Sequence, residues 1–568
     1  MKAYLPLRAT AIVITCLGGL SLQGATLKNG PMLGYSTMAE VLIWTQTDAP
    51  AAVYAKYWEM ETDAALAKTT DVIHTAKETA YVAKLLADDV RAGKHYCYEI
   101  YVDGVKVEKT YPAGYSKSGP IPQVFQTPRN WRHRESGHAI FDFKVAAGSC
   151  AYINEDGGYD RLNGKPYGAE YAIFERIHEQ KPDLMLWLGD NIYYREPDFW
   201  SRTGMIHRWT TDRSLPEMQA LLASTHHYSI WDDHDYGPNN AGWDYTMKAE
   251  SLKVFNLFNG NPSAGLPDVP GVFTFFNWGD VNFYMLDNRW YRDTDGTDPA
   301  IFGRRKQHLG KAQVDWLINA LKWSQTQAKS SYPISFNVIC TGSQVLSTNP
   351  YPENYTTYTD EWNYLFDRLR HEGIDGVVFL SGDVHMTELT KDVQQGLGIV
   401  NKPGASGLRY GLYTYYDLTV SPLTAGPHTG AAPNTKRVKE FAPTADGSIR
   451  VRNFATLDFA GPLDDRKMTI KIFDYEGKLL NYNPLAPELV SPVSIITAKS
   501  LRAPRRGEIA VKSDRQASTG AAWELEMKKM REEEEKMMAN PSPPAEQATP
   551  PVAKPPETPV APSSEPVK

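Results

Sequence analysis

LMLWLGDNIY at residues 184–193 and YSIWDDHDYGPNN at residues 228–240 decide how this chain is read. Each is a short apolar run that stops abruptly in ligand-type side chains. The same design recurs along the sequence. Phe141 to Ala147 leads into Gly148-Ser149-Cys150, Val281 to Leu286 into Asp287-Asn288-Arg289, and Val377 to Leu380 into Ser381-Gly382-Asp383-Val384-His385. In open α/β sheets, sites form in the crevice at the carboxyl ends of the strands, where residues distant in sequence converge. Five such strand ends predict a metal site on an α/β sheet.

The residue types fit that chemistry. Asp190 and Asp233 are hard oxygen donors able to bridge two cations. Imidazole from His385 and thiolate from Cys150 are softer donors suited to iron or zinc. Tyr193 follows Asp190 by three residues, and a phenolate there favours ferric iron. Taken singly, an Asp at a strand end is a turn or helix cap, Cys150 a small core residue and Arg289 a surface ion-pair partner. The Asp232-Asp233-His234-Asp235 run overrides this reading, because three acids beside a histidine repel one another unless cations or ordered hydrogen bonds compensate. His226 and His227, just before that strand end, are expected to be structural, and the remaining histidines are assigned no role.

Outward from these strand ends, the apolar runs alternate with amphipathic helix patterns at Ala169 to Gln180, Leu215 to Thr225, Lys311 to Trp323 and Glu361 to Glu372. This predicts an α/β domain over residues 138–485, in which Tyr413 to Val420 and Met468 to Phe473 close a second sheet. Residues 26–127 instead read as short strands ending in the Asp103-Gly104 hairpin signal, an all-β immunoglobulin-like sandwich with Trp44 and Tyr98 in its core. Residues 486–568 read as a linker, a charged helix around Glu532 to Glu535 and a tail with ten prolines among its last 28 residues. At the other end, Lys2 and Arg8 precede the apolar run Ala9 to Leu22, too short to span a bilayer, so residues 1–25 read as a secretory signal peptide, with lipidation at Cys16 as the lesser alternative.

The 568 residues suggest three to four domains, and 42% hydrophobic with 22% charged residues are globular proportions. A net charge of −7 argues against general or sequence-specific nucleic-acid binding. Four cysteines among 568 residues exclude a disulfide scaffold. No later stretch is apolar enough for a transmembrane segment, which leaves peripheral or cell-wall association through the C-terminal tail as an open expectation.

GSC at 148–150, LGDNIY at 188–193, WDDHDYGPNN at 231–240, MLDNRWYRD at 285–293, LGKAQVDWL at 309–317 and SGDVH at 381–385 together resemble the motif series of the alkaline phosphatase D (PhoD-like) metallophosphatases, over roughly residues 31–485. The resemblance implies a four-layer α/β/β/α core behind an immunoglobulin-like domain, and a binuclear or trinuclear site of ferric iron with calcium; zinc, manganese and magnesium stay open. Carried over by motif, Cys150, Asp190, Tyr193 and His385 hold the iron, while Asp233, Asn239, Asp287 and Asp383 complete the second metal's shell. His234 stands over the leaving group and Arg289 contacts a phosphate oxygen. The family often uses a twin-arginine export signal, whereas Lys2 and Arg8 are not adjacent.

The expected function is therefore an exported, periplasmic or extracellular hydrolase acting on phosphate monoesters, in which a metal-bound hydroxide attacks phosphorus. Two alternatives stand beside it. One is a phosphodiesterase acting on phospholipid, teichoic acid or nucleic acid; the other is a non-catalytic surface-binding protein with a degenerate phosphatase core. A serine hydrolase is disfavoured because no G-x-S-x-G elbow occurs.

Overall fold

Alternation along the central strands sets the architecture. In Val281–Met285, the side chains of Val281, Phe283 and Met285 join one core and Tyr284 another; Phe336–Cys340 divides Phe336, Val338 and Cys340 from Ile339 in the same way. Successive strand residues face opposite ways, so a strand apolar throughout must be covered on both faces. The computed structural model describes residues 24–129, 140–155, 160–162, 165–330, 334–402, 405–430 and 432–503. The expected signal peptide with Cys16, apart from its last two residues, and the charged helix and proline-rich tail lie outside the described residues.

Two large sheets carry the chain. The six-stranded sheet runs in the order Thr274–Trp278, Val281–Met285, Phe336–Cys340, Val377–Ser381, Ala405–Thr419, Glu388–Lys402, with its middle strands parallel. The nine-stranded sheet contains the parallel trio Phe143–Gly148, Leu184–Leu188 and His226–Ile230. The two sheets share one core, where Phe276 stacks on Tyr228 and Phe459 meets both Phe283 and Phe336. On its other face, the six-stranded sheet is covered by the helices Lys311–Ser330 and Thr359–His371. The first of these presents Val314, Leu317, Ile318 and Leu321, the i, i+3, i+4, i+7 stripe of an amphipathic helix.

Several expectations are corrected. Tyr413 to Val420 and Met468 to Phe473 do not close one sheet: the first lies in Ala405–Thr419 of the six-stranded sheet, and the second in Lys467–Asp474 of the nine-stranded sheet. The nine-stranded sheet also takes in Leu27–Ser36, Val41–Thr47 and Val82–Ala87, through a parallel bridge of Leu33 to His226. The change of sequence texture near residue 127 is therefore no break in that sheet. These N-terminal strands do face a second small sheet built on Ala52–Glu59 and His95–Val102, with Leu33, Ile43 and Leu85 packed against Val53, Tyr98 and Ile100. Trp44 turns away from that sandwich, donating Nε1–H to Leu257 O at 2.9 Å and packing on Phe258. Ordered structure continues past residue 485, since Ile495–Thr497 pairs with Lys467–Asp474.

Strand Leu27–Ser36 was hidden by Gly30, Pro31 and Gly34, residues that ordinarily interrupt strands. Gly34 has a packing reason: a Cβ there would stand 2.8 Å from Gly260 O and 2.9 Å from Gly260 Cα, so the two backbones touch. Gly34→Ala is expected to cost about 1–3 kcal/mol of unfolding free energy in urea titration, as overpacking of rigid backbone does. An unchanged midpoint would mean that the two segments part freely.

Candidate metal centre

Parallel strands place their carboxyl ends side by side, and the sequence puts a donor two or three residues beyond each one. Cys150 follows Phe143–Gly148, Asp190 follows Leu184–Leu188, Asp232 and Asp233 follow His226–Ile230, and Asp383 follows Val377–Ser381. The chain turns so sharply there that Cys150 (φ +60°), Asp190 (+51°), Asp383 (+68°) and His385 (+51°) all adopt left-handed backbone. For residues other than glycine this costs roughly 1–2 kcal/mol each, strain of the kind that collects at functional sites.

The donors converge in three overlapping groups: Cys150 with Asp190 and His385; Asp190 with Asp233 and His234; and Asp232 with Asp233 and Asp383. Within each group the candidate ligand atoms lie within 4.8 Å of one another. Asp190 belongs to two groups, its Oδ2 lying 3.5 Å from Cys150 Sγ while its Oδ1 accepts from His234 N at 3.1 Å. Tyr193 joins the first group, its hydroxyl 3.1 Å from His385 Nε2. His385 Nδ1 lies 2.7 Å from the carbonyl of Gly426, which as acceptor fixes the proton on Nδ1 and frees Nε2 as a donor to a cation. Ser421 donates to the Cys150 sulfur at 3.1 Å.

Asp235 ties the loops together without entering a group. Its carboxylate accepts from the backbone N–H of Asp190, Asn191 and Asp232. The fourth residue of the DDHD run is therefore a strap that positions two ligand loops.

Electrostatics favour cations here. Asp190, Asp232, Asp233, Asp383 and Glu353 crowd together with Arg289 and Arg292 as the nearby guanidinium groups. Burial and the neighbouring Asp233 hold Asp190 well above the usual carboxylate range, and burial with Glu353 does the same to Asp383. Burial brings Asp232 up to about 6. Asp233 goes the other way: burial opposes its charge, but His234, Arg289 and the N–H of Asn240 outweigh it. Oxygens of Asp232 (Oδ2), Asp233 (Oδ1) and Asp383 (Oδ2) are buried without any hydrogen-bond partner. Buried orphan oxygens are rare because each costs desolvation energy. The donor set thus fits bound cations, with thiol, phenol and imidazole at one end and oxygen ligands at the other.

Two expected site residues fall elsewhere. Asp287 is absent from all three groups, since its carboxylate is occupied by backbone: Oδ1 accepts from Arg289 N and Trp290 N, and Oδ2 from Val272 N. Gln313 of the LGKAQVDWL stretch grips the Asp287 backbone at both N–H and carbonyl. Arg289 is fully buried behind the site, where it bonds to Asp232 and Glu353 and approaches Asp233 at 3.6 Å. It neutralises carboxylates from below and does not line the cleft. Asn239 lines the cleft, its amide nitrogen donating to Asn240 Oδ1 at 2.7 Å while Asn240 N donates to Asp233.

His234 is half-buried, its ring 4.2 Å from that of Tyr193. His226 and His227 are structural, as expected: His226 Nδ1 bonds Gly34 O at 2.9 Å, and His227 accepts from Trp187 Nε1. Residues missed from sequence are Glu353, Tyr167 and Arg452, all lining the cleft of about 650 Å³ above the donor groups. None follows an apolar strand, so strand-end reading had no means of finding them.

A family profile described as PhoD-like phosphatase matches residues 146–426, and one described as Domain of unknown function (DUF7800) matches residues 24–119. No curated protein matches the sequence. Among solved structures, one titled "Structure of PhoD" is similar with a TM-score of 0.56 and 16% identity, over 84% of this chain and 88% of that one. The purple acid phosphatase PPD1 from yellow lupin (Lupinus luteus) seeds is similar with a TM-score of 0.52 and 12% identity, over 80% of this chain and 73% of that one. At these identities the two structures speak for a shared fold.

Proposed function

We propose, from the premise that residues 146–426 of the chain belong to the PhoD-like phosphatase family, that this protein is an exported metal-dependent hydrolase of phosphate monoesters. The observation that carries the reading is the sharing of Asp190 by two donor groups in one cleft. Cys150, Asp190, Tyr193 and His385 would hold ferric iron, for which thiolate, phenolate and imidazole are apt ligands. Asp190 and Asp233, with Asp383, would hold a second cation, calcium being suited to the oxygen-rich end. Such cations activate water and neutralise charge on the phosphoryl oxygens.

The protein's own residues do the rest. Asp235 and Asn240 keep the carboxylates aimed, and the Gly426 carbonyl keeps the His385 tautomer. His234, fixed through its backbone to Asp190, would donate a proton to the leaving alkoxide from its place on the cleft wall. The same reading takes residues 1–25 as the export signal, 26–127 as an immunoglobulin-like sandwich whose strands extend the nine-stranded sheet, and the core that follows, running past residue 485 to Ile495–Thr497, as four-layer α/β/β/α. The shared core between the two sheets and the helices over the six-stranded sheet favour that layering. Among the described residues no helix is long and apolar enough to cross a membrane.

The test is metal content and p-nitrophenyl phosphate turnover measured on the same preparation. Turnover is expected to vanish on chelation and return with iron and calcium, and turnover by metal-free protein would overturn the reading. With ferric iron bound, a tyrosinate-to-iron band should give visible absorption. Tyr193→Phe should abolish that band while Cys150, Asp190 and His385 retain iron; a band that survives would remove Tyr193 from the ligand set.

A further inference from the structure

We infer that Arg452, in a cleft that Lys165 also lines, forms an anion-binding subsite in the cleft wall. It would select phosphate esters whose alcohol part carries a second negative charge, a carboxylate or another phosphate. The inference rests on the phosphoesterase reading for its substrate class, and on the geometry of Arg452 for the subsite itself.

Arg452 stands just before strand Asn453–Ala460 and is half-buried. Its guanidinium is held in place by two backbone carbonyls, Nε donating to Thr424 O at 2.8 Å and Nη2 to Tyr167 O at 3.1 Å. These bonds use part of a five-donor fork and neutralise none of its charge. No carboxylate pairs with it among the described residues, and the exposed Glu170 acts on it only through space. The other buried arginines are compensated. Arg289 meets Asp232 and Glu353, Arg437 meets Glu388 and Asp446, Arg466 meets Asp280 and Asp142, and Arg213 lies over the rings of Trp187 and Trp209. A partly desolvated cation aimed at a cleft without a counter-charge is expensive unless an anion visits it.

Its position says which anion. Tyr167 accepts from Arg452 at its backbone carbonyl, and at its far end sets its hydroxyl 3.3 Å from His385 Nδ1. The guanidinium is thus about one tyrosine side chain away from a member of the first donor group. A substituent on a substrate held at the donor group lies within that reach. Lys165, exposed, lines the same cleft, while His428, whose N–H donates to the His385 carbonyl at 2.9 Å, stands with Asp190, Asp233, Asp383 and Glu353 at the donor end. Arg289, the arginine expected to meet phosphate, is sealed beneath the site, which leaves Arg452 as the arginine lining the cleft among the described residues.

The experiment uses the full chain loaded with metal and compares phenyl phosphate with 4-carboxyphenyl phosphate. The native protein is expected to favour the carboxylated ester in kcat/KM by about tenfold, the scale of one charge-assisted hydrogen bond. Arg452→Met should bring that ratio close to one, with Arg452→Lys in between. A native ratio of one, or a ratio unmoved by Arg452→Met, overturns the subsite. Calorimetric affinities for phenylphosphonate and 4-carboxyphenylphosphonate read the subsite without turnover. An Arg452-dependent binding preference in a protein that hydrolyses neither ester would keep the subsite and discard the hydrolase. Equal phosphonate affinities in a protein that hydrolyses both esters would do the reverse.

Discussion

Asp190→Ala is expected to bind neither cation in stoichiometric amount and to lose p-nitrophenyl phosphate turnover by about 10³-fold or more, since a metal site supplies both activated water and charge neutralisation. The size of the effect follows from position. Asp190 is the one residue common to the Cys150 and Asp233 groups, and its Oδ1 also anchors the backbone of His234. Among the described residues no other member of those two groups is shared between them. A sign reversal separates this from simple unfolding. In chelated protein, burial and Asp233 make ionised Asp190 unfavourable, so the metal-free variant should be no less stable than metal-free native protein. With metals present the native protein should be the more stable of the two, because cations that bind only the folded state stabilise it by mass action. Elemental analysis, turnover and thermal midpoints with and without chelator decide the matter. A variant that turns over normally with its metals missing would end the assignment.

Arg289→Met should act on stability first. Its guanidinium bonds to Asp232 and Glu353 inside the protein, and removing one partner from a buried ionic cluster costs about 3–5 kcal/mol by stranding the other charges. Urea unfolding of chelated protein should show that loss. Adding Glu353→Gln to Arg289→Met should recover part of it, because one stranded carboxylate is then gone. Had Arg289 met the substrate's phosphate, Arg289→Met would lower kcat/KM and leave unfolding unchanged; that outcome would overturn the structural placement.

The legibility of the site divides along a physical line. Cys150, Asp190, Asp233, Asp383 and His385 could be read because a strand end is a local feature: an apolar run stops, and the next side chains must face the crevice. Tyr193 came with Asp190 through spacing. Asp287 and Arg289 share that strand-end context yet play other parts, because their partners Val272, Gln313 and Glu353 lie 15 to 64 residues away and nothing local announces them. Helices Arg202–Arg213 and Lys248–Phe258 escaped notice since charged residues interleave their apolar positions. Trp44 was read as sandwich core because an apolar strand does not disclose which neighbour each face will meet.

From sequence alone came the class of the fold, the α/β alternation and the chemistry of the donors, since strand and helix periodicity and side-chain type are properties of short stretches. Only the tertiary structure decided that N-terminal strands extend the nine-stranded sheet, that Asp190 is shared, that Arg289 is sealed behind the carboxylates and that Arg452 faces the cleft. Those outcomes depend on sheet order and on which charges find one another across hundreds of residues. Long-range pairing of this kind is settled by burying apolar faces and neutralising buried charge throughout the molecule, and no window of sequence contains that balance.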